Sequence, residues 1–486
     1  MNIKSIIDFY TRFLLIFSMV TISRKNVFLS FVMALLIFFS VEVTHALTLH
    51  EAKDEALKAN LDIKISGEKV SEAQSVKKAS FTKLFPELSV NSSGTYMDKR
   101  TGLFIEKGAY GTYPFGPSPL NDSVITTSDR DVYRLGMKIA QPVFAGGKIY
   151  FSYRQAKSVE EEVQWSEKQT VQDVLFLVET AYCNLLKAEE LRKLAEQHEN
   201  TLKAHLEDME KLHQKGRVAF IDVLKVRVQA SRASEDVVKT NNDVAVAKVQ
   251  LNLILNRPLD QVSEVIPLST PHVVPISVLD AEREAKSRNK ALNSARAKKM
   301  TAEMQRRVAE ADYYPNITLT GSYYTQNRQP SSPDEQLSVM LSMDWSLWHW
   351  GETQHKVDAA RAFERQMQYS VSSLENQISA NVRDDFYEIE QTDKRIEVAK
   401  DALVQAEENL RITQVGFSNG RKTSTDVLDA EDLLSKSRSD YLQAFYDAHA
   451  ARAHLRYVMG VMESDDFSPV SMSFRKSFEQ ERFPLE

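Results

Sequence analysis

Apolar residues recur at strict seven-residue steps along much of this chain. In the second half they are Val382, Ile389, Ile396, Leu403 and Leu410, then Val427, Leu434, Tyr441, Ala448 and Leu455. The first half repeats the latter series at Val223, Ala230, Val237, Val244 and Leu251. Seven residues fall just short of two helical turns, so packed helices that keep this step must supercoil left-handedly. The stretch from Glu352 to about Phe417 predicts a single helix roughly 95–100 Å long at 1.5 Å per residue. Ala399 and Ala406, small residues near the second seam, suggest close-packed helices around a lumen rather than an isolated two-stranded coil. Only 15 glycines and 14 prolines punctuate the 486 residues, so few breakers stand in the way. Taken alone, the step specifies a long helical bundle and nothing finer.

The chain also repeats itself. A shift of 204 residues lays Phe144 on Trp348, Gly147 on Gly351, Ala156 on Ala360 and Tyr182 on Phe386. It also lays Gly216-Arg217 on Gly420-Arg421, and Asp222-Val223-Leu224 on Asp426-Val427-Leu428. Upstream the shift becomes 229, where Leu84 to Val90 meets Tyr313 to Leu319. A Gly/Pro/Tyr-rich loop, Gly102 to Asp122, absorbs the difference. Each copy then reads as short helices, strand, loop, strand, long helix, tight turn, long helix. The first repeat is 47–256, with strands at 87–97 and 131–144 and a helical hairpin over 146–256. A linker, 257–276, leads to the second repeat, 277–460, with strands at 316–327 and 335–347 and a hairpin over 351–460. A tail, 461–486, follows.

Residues 1–46 read as a signal peptide: Arg24-Lys25, an apolar run from Val27 to Val41, and a cleavage site after Ala46 with small Thr44 at −3. The run falls short of the ~20 residues of a membrane-spanning helix. Either Met1 or Met19 can serve as the start. Removing four basic and two acidic residues takes the net charge from −6 to −8, which gives no reason to expect a nucleic-acid partner. The single cysteine, Cys183, excludes an internal disulfide or a cysteine-cluster metal site, and its mid-helix place suits packing. His349, His355 and the other histidines lack ligand spacing, and no nucleophile elbow, P-loop or HExxH motif occurs. No catalytic residue, metal or cofactor is expected.

The strand candidates alternate. Leu337, Val339, Leu341, Met343, Trp345 and Leu347 share one face, against Ser338, Met340, Ser342, Asp344 and Ser346. Tyr133, Leu135, Met137, Ile139 and Val143 oppose Arg134, Lys138 and Pro142. A lipid-facing outside (Leu337, Val339, Leu341, Trp345) and a wet lumen fit this pattern; so does a soluble sandwich with one buried face. Four strands cannot close a membrane barrel, and an open edge in lipid leaves backbone groups unpaired. Such a barrel must close between chains, as a dimer or a trimer.

The two hairpin turns carry the remaining signal. Gly216 and Gly420 let the chain reverse, and Asp222 and Asp426 lie where the returning helices begin. Thr423 and Asp426 form a capping-box pattern. Capping accounts less well for Asp429, because Lys225 takes its place in the first copy.

The segment LTLHEAKDEALKANLDIK, the prolines before strands at Pro86 and Pro315, QPVFAGG and NGRKTSTDVLDA together resemble the TolC-like outer membrane efflux protein (outer membrane factor) family. The resemblance runs from residue 47 to about 462. It implies a mainly α fold with a β membrane part: helical hairpins forming an α-barrel tunnel, and four strands per chain in a homotrimeric twelve-stranded β-barrel. It implies an exit duct in the Gram-negative outer membrane, for tripartite efflux or type I secretion, with the tunnel in the periplasm. Expected partners are a periplasmic adaptor protein, an inner-membrane transporter of RND, ABC or MFS type, and outer-membrane lipid. Asp426 and Asp429 match the aspartates that ring the closed periplasmic entrance, where crowding would raise some of their pKa values and favour cations. Lys422 matches a basic residue tying the inner hairpin to its neighbour, and Asp222 its partner on the outer hairpin. Phe417 stands where a tyrosine hydroxyl would bond that aspartate, and Ile221 offers Lys422 no acceptor. The closing contacts are therefore expected to differ. A periplasmic coiled-coil adaptor would need one hairpin and a lipoyl-like β-domain; a structural exported coiled coil is the other rival.

Overall fold

The computed structural model describes residues 47–109, 122–261, 264–268, 276–327, 329 and 333–462. The expected signal peptide (1–46), most of the tail and parts of the linker and the Gly/Pro/Tyr-rich segment lie outside the described residues. Of the described residues, Leu47 and 264–266 belong to one small unit and the others to a second. In the small unit Leu47 bridges Val265 in parallel, its N–H donating to the Glu264 carbonyl at 2.7 Å.

The main unit runs twice through one plan, to which the first half adds a strand pair. In the first half, α1 (Leu49–Ala59) and α2 (Leu61–Thr82) lead to β1 (Glu87–Tyr96), β2 (Thr101–Ile105), β3 (Ser123–Ser128) and β4 (Asp131–Ala145). The helices α3 (Lys148–Gln214) and α4 (Phe220–Ile254) complete it. The second half has α5 (Val278–Arg288), α6 (Lys290–Glu310), β5 (Asn316–Gln326), β6 (Glu335–Asp344), α7 (Glu352–Ser418) and α8 (Ser424–Met459). α3 and α7 each span 67 residues, about 100 Å at 1.5 Å per residue.

Local chemistry explains the short-helix boundaries. Thr48 and Glu51 form a reciprocal capping box at α1. Asn60 ends α1 and starts α2, its Oδ1 accepting the Asp62 N–H at 2.9 Å. Asn289 does the same between α5 and α6, accepting from Leu292 N–H at 2.9 Å while its amide donates to the Val458 carbonyl at 2.9 Å.

The heptad positions point inward as their spacing requires. Val223, Ala230, Val244, Leu251, Val382, Ile389, Val427, Leu434, Ala448 and Leu455 are buried, and the remaining members of the series are partly so. Around Val382, Ile389 and Leu455, a cluster joins α7 and α8 to α5 and α6 through Ala281, Ala285 and Leu292. Deleting a side chain such as Leu455 would cost about 2–5 kcal/mol by transfer and cavity terms. A polar junction joins α8 to α1 and α3. Glu179 of α3, 5% exposed, takes Lys53 of α1 at 2.7 Å and Arg456 of α8. Nearby Cys183 is buried, and desolvation pushes its thiol up to about 12, which fits packing rather than reactivity.

The sheet is antiparallel, in the order β1-β4-β5-β6. Its register sets Leu88 and Val90 against Ile139 and Met137, and these against Gly321 and Tyr323. Gly321 and Tyr323 in turn meet Val339 and Leu337, so one face carries Leu, Val, Met, Ile and Tyr. That face is exposed: Leu337 is 75% and Val339 74% accessible. The opposite face holds Ser89, Asn91, Lys138, Ser322 and Ser338, the last two sharing a hydrogen bond of 2.8 Å. A register shift falls between Pro142 and Phe144, where proline has no N–H to give the ladder. The outer edges of β1 and β6 have no strand partner among the described residues.

Two strand expectations need correction. The segment Gly102 to Asp122 is not wholly loop: its flanks pair as the β2–β3 hairpin, Leu103 opposite Ile125 and Phe104 opposite Val124. The β-branched residues there suit a strand pair, but the Gly and Pro between them dominated the reading. β6 also stops at Asp344, so Trp345 lies beyond the strand, its indole N–H bonded to the Tyr313 carbonyl at 3.2 Å.

Candidate gate at the paired helical turns

Each long helical pair reverses through a glycine in the left-handed region, Gly216 (φ 68°) after α3 and Gly420 (φ 70°) after α7. Both turns close alike. Gly216 and Arg217 N–H groups donate to His213 and Leu212 carbonyls at 2.8 and 3.0 Å. Gly420 and Arg421 donate to Phe417 and Gly416 at 3.0 and 2.8 Å.

The returning helices start differently. At α8 the capping box is complete: Asp426 accepts from the Thr423 N–H at 2.7 Å and its hydroxyl at 2.8 Å, while Thr423 Oγ1 accepts the Asp426 N–H at 3.2 Å. The Thr423 backbone N–H, then its hydroxyl, hold the Asp426 carboxyl below the usual carboxylate range. Within one chain the push is thus opposite to the rise expected from a crowded ring. Asp429, one turn on, is exposed, and its carboxylate has no partner among the described residues. At α4 the N-cap is Ala219, with no side-chain cap, and Asp222 pairs with Lys225 at 3.3 Å.

Lys422 and Asp222 are not brought together in one chain. The Lys422 stem folds over Gly416, where an added Cβ would stand 2.7 Å from its Cγ, and its ammonium lies 4.0 Å from Asp426. Phe417 packs against the cluster of Leu202, Met209, Val223 and Val226, with its ring edge-on to His205 at 5.8 Å. Ile221 is exposed.

A set of contacts that sequence reasoning missed joins the two hairpins of one chain. Leu428 of α8 is buried in the α3–α4 cluster. His205 Nε2 lies 3.0 Å from Ser424 Oγ, and His198 Nε2 3.6 Å from Asp432. Lys225 and Gln229 of α4 reach Thr425 and Asp432 at 3.5 and 3.4 Å. The available signal was the seven-residue step between His198 and His205, which sets both on one face of α3.

Burial holds both imidazoles below their ordinary 6.5, more than Asp432 and Asp236 near His198 or Asp208 near His205 can offset. A histidine with a lowered folded-state pKa stabilises the packed form fully above its ordinary value; that stability is lost as pH falls from there through the folded value. Acidification should therefore loosen the α3–α8 contact. Hydrogen exchange of the 424–432 amides checks this: exchange rises towards acidic pH beyond its intrinsic trend, and His198→Gln with His205→Gln flattens the rise.

Comparison with known proteins accounts for this architecture. The sequence profile described as "Outer membrane efflux protein" matches residues 52–257 and 282–461. The chain belongs to the outer membrane efflux protein family. Among relatives of this family member, "Outer membrane protein TolC" of Escherichia coli is 24% identical over 325 residues, 63% of this chain and 66% of that one. "Alkaline protease secretion protein AprF" of Pseudomonas aeruginosa is 23% identical, over 71% of this chain and 73% of that protein. The chain matches just under two thirds of the length of TolC from E. coli and from Salmonella enteritidis, 66% and 65%. The crystal structure of "the outer membrane protein VceC" from Vibrio cholerae superimposes with a TM-score of 0.70, at 16% identity, over 85% of this chain and 96% of that one. The fold expected from the resemblance holds: a mainly helical, TolC-like chain with a small antiparallel sheet. Family membership places it in the outer membrane of a Gram-negative bacterium, with a periplasmic helical part.

Proposed function

We propose that this family member is a passive exit duct for efflux or type I secretion, built from three copies of the chain. The observation that carries the reading is the sheet: one exposed apolar face, and two edges without a strand partner among the described residues. In lipid each unpaired backbone group costs several kcal/mol, so the edges need other chains. Three copies would close twelve strands, with Leu337, Val339 and Leu341 towards lipid, Trp345 at its margin, and Lys138 and Ser338 towards water. The long hairpins would form the periplasmic tunnel. Energy would come from an inner-membrane transporter of RND, ABC or MFS type through a periplasmic adaptor; AprF bears the name of a secretion protein.

The entrance is gated at the helical tips. Asp426 and Asp429 of three chains would set six carboxylates around the axis, favouring cations, divalent ones included. Lys422 and Asp222 would take partners across chains. Phe417 replaces a hydroxyl link by packing, and the His205–Ser424 and Lys225–Thr425 contacts hold the two hairpins of each chain together. Opening would move the hairpins apart when the adaptor docks.

Two measurements test the duct. Purified chain should migrate as a heat-modifiable trimer and conduct in planar bilayers; a monomer without conductance would sink the reading. On the apolar face Val339→Arg should destabilise the folded membrane form by about 2–4 kcal/mol, whereas Ser338→Arg on the other face should cost far less.

A further inference from the structure

The polar face of the sheet is uneven in charge, and the unevenness follows the duplication. Under the 204-residue shift, Arg134 and Lys138 of β4 fall on Ser338 and Ser342 of β6. Serine serves at these strand positions in the second copy, so the pairing of the strands does not call for either cation. Both belong to one face, since residues four apart in a strand point the same way. The register agrees: Lys138 stands between Ser89 and Ser322, and Arg134 between Ser93 and Gln326. Carboxylates near this face lie at its ends, Glu87 and Asp344 towards the helices and Asp334 just before β6.

The two cations are held differently. Arg134 is fixed: its Nε and Nη2 donate to Gln326 Oε1 at 3.3 and 3.0 Å, and its guanidinium lies 4.7 Å from the centre of the Tyr324 ring. Gln326 is 7% exposed and is itself tied by its amide to the Pro333 carbonyl at 3.0 Å. These partners are neutral, so they orient the guanidinium without cancelling its charge. Its other N–H donors have no partner among the described residues. Lys138 is exposed, and its ammonium has no partner among the described residues either. A planar, preoriented guanidinium suits a carboxylate or phosphate, which it can grip with two parallel hydrogen bonds. The ammonium adds a second positive tier about 13 Å along the strand.

We propose that Arg134 and Lys138 make the barrel lumen a binding girdle for anionic groups, carboxylates or phosphates, on solutes leaving the duct. This rests on the channel reading, which puts the polar face inside and brings three copies of each cation around one axis. The low-dielectric wall of a closed barrel would focus their field on that axis. The girdle is opposite in sign to the carboxylates proposed at the entrance, so the two ends of one duct treat a charged solute differently.

The test uses the full chain in planar bilayers, with inorganic tripolyphosphate added to each side in turn. Tripolyphosphate should block the wild-type current, more strongly from one side than from the other. The block should weaken as salt rises from about 0.1 to about 1 M, because the Debye length falls from about 10 to about 3 Å. Arg134→Ser with Lys138→Ser should raise the blocking concentration roughly tenfold or more, as the loss of charge-assisted hydrogen bonds requires. The same double variant should shift the reversal potential in a potassium chloride gradient towards that of potassium. Arg134→Lys keeps the charge but not the planar fork, so it should hold the wild-type reversal potential and lose part of the block. A conducting wild-type channel that tripolyphosphate does not block would overturn the girdle and leave the channel reading intact. An equal block in the double serine variant would overturn it in the same way. Absence of any wild-type conductance would remove the channel reading, and the girdle with it.

Discussion

Replacing Asp426 and Asp429 together by asparagine should abolish block by divalent cations and lower cation selectivity in planar bilayers. The two carboxylates are held differently, which sharpens the expectation. Asp426 is committed to its own helix start, and the bonds from Thr423 favour its ionised form. Asp429 is exposed with no partner among the described residues, so its charge is free to act on an ion. Asparagine at 426 still offers an oxygen to the cap, so its effect isolates charge from capping. Asp429→Asn alone should therefore remove most of the divalent block with little change in stability. Asp426→Ala should additionally loosen the first turn of α8. Divalent block that survives in the double variant would show that the proposed ring does not line the entrance.

Glu179→Ala should destabilise the folded chain by about 3–5 kcal/mol, because it strands two cations in a mostly buried junction. The carboxylate is 5% exposed, and the partner side chains Lys53 and Arg456 are 15% and 29% exposed. Desolvation pushes the Glu179 pKa up, but Arg456 and Lys53 together outweigh it, and the net shift is downward. The sign follows: this stabilisation is present above the ordinary carboxylate value of 4.5 and is lost as pH falls through the lowered folded-state value. Thermal unfolding at neutral pH reads the loss. The triple replacement Glu179→Leu, Lys53→Met, Arg456→Leu should recover much of it, since a packed apolar trio strands no charge. A wild-type melting temperature in Glu179→Ala would show that water reaches the junction freely.

The local parts of this structure were legible in the sequence. The heptad apolar series placed α7 and α8 and the residues they bury, and the paired Gly-Arg turns located both reversals. The Thr423–Asp426 capping box is made as its spacing predicts. Alternation identified the apolar face of β6. The β2–β3 hairpin was obscured because glycine and proline between its strands outweighed the short β-branched flanks. The proposed gate was legible in part. Its turns and acidic residues were visible, but its contacts were not. His205 meets Ser424 across 219 positions, Lys225 meets Thr425 across 200, and Leu428 enters a cluster made by two other helices.

Periodicity, capping and turn chemistry act over a few residues, so the duplicated plan, the long helices and the two faces of the sheet can be read along the chain. Which side chains meet depends on the rotation and stagger of four long helices, and no short stretch encodes that. Helix packing brings Lys53 and Arg456 together on Glu179 and lays Lys422 back on its own hairpin. The tertiary structure also shows Trp350 in a backbone conformation where the other half of the chain uses glycine. A long-range contact forms only when whole helices have packed and the cost of ordering both side chains has been met collectively.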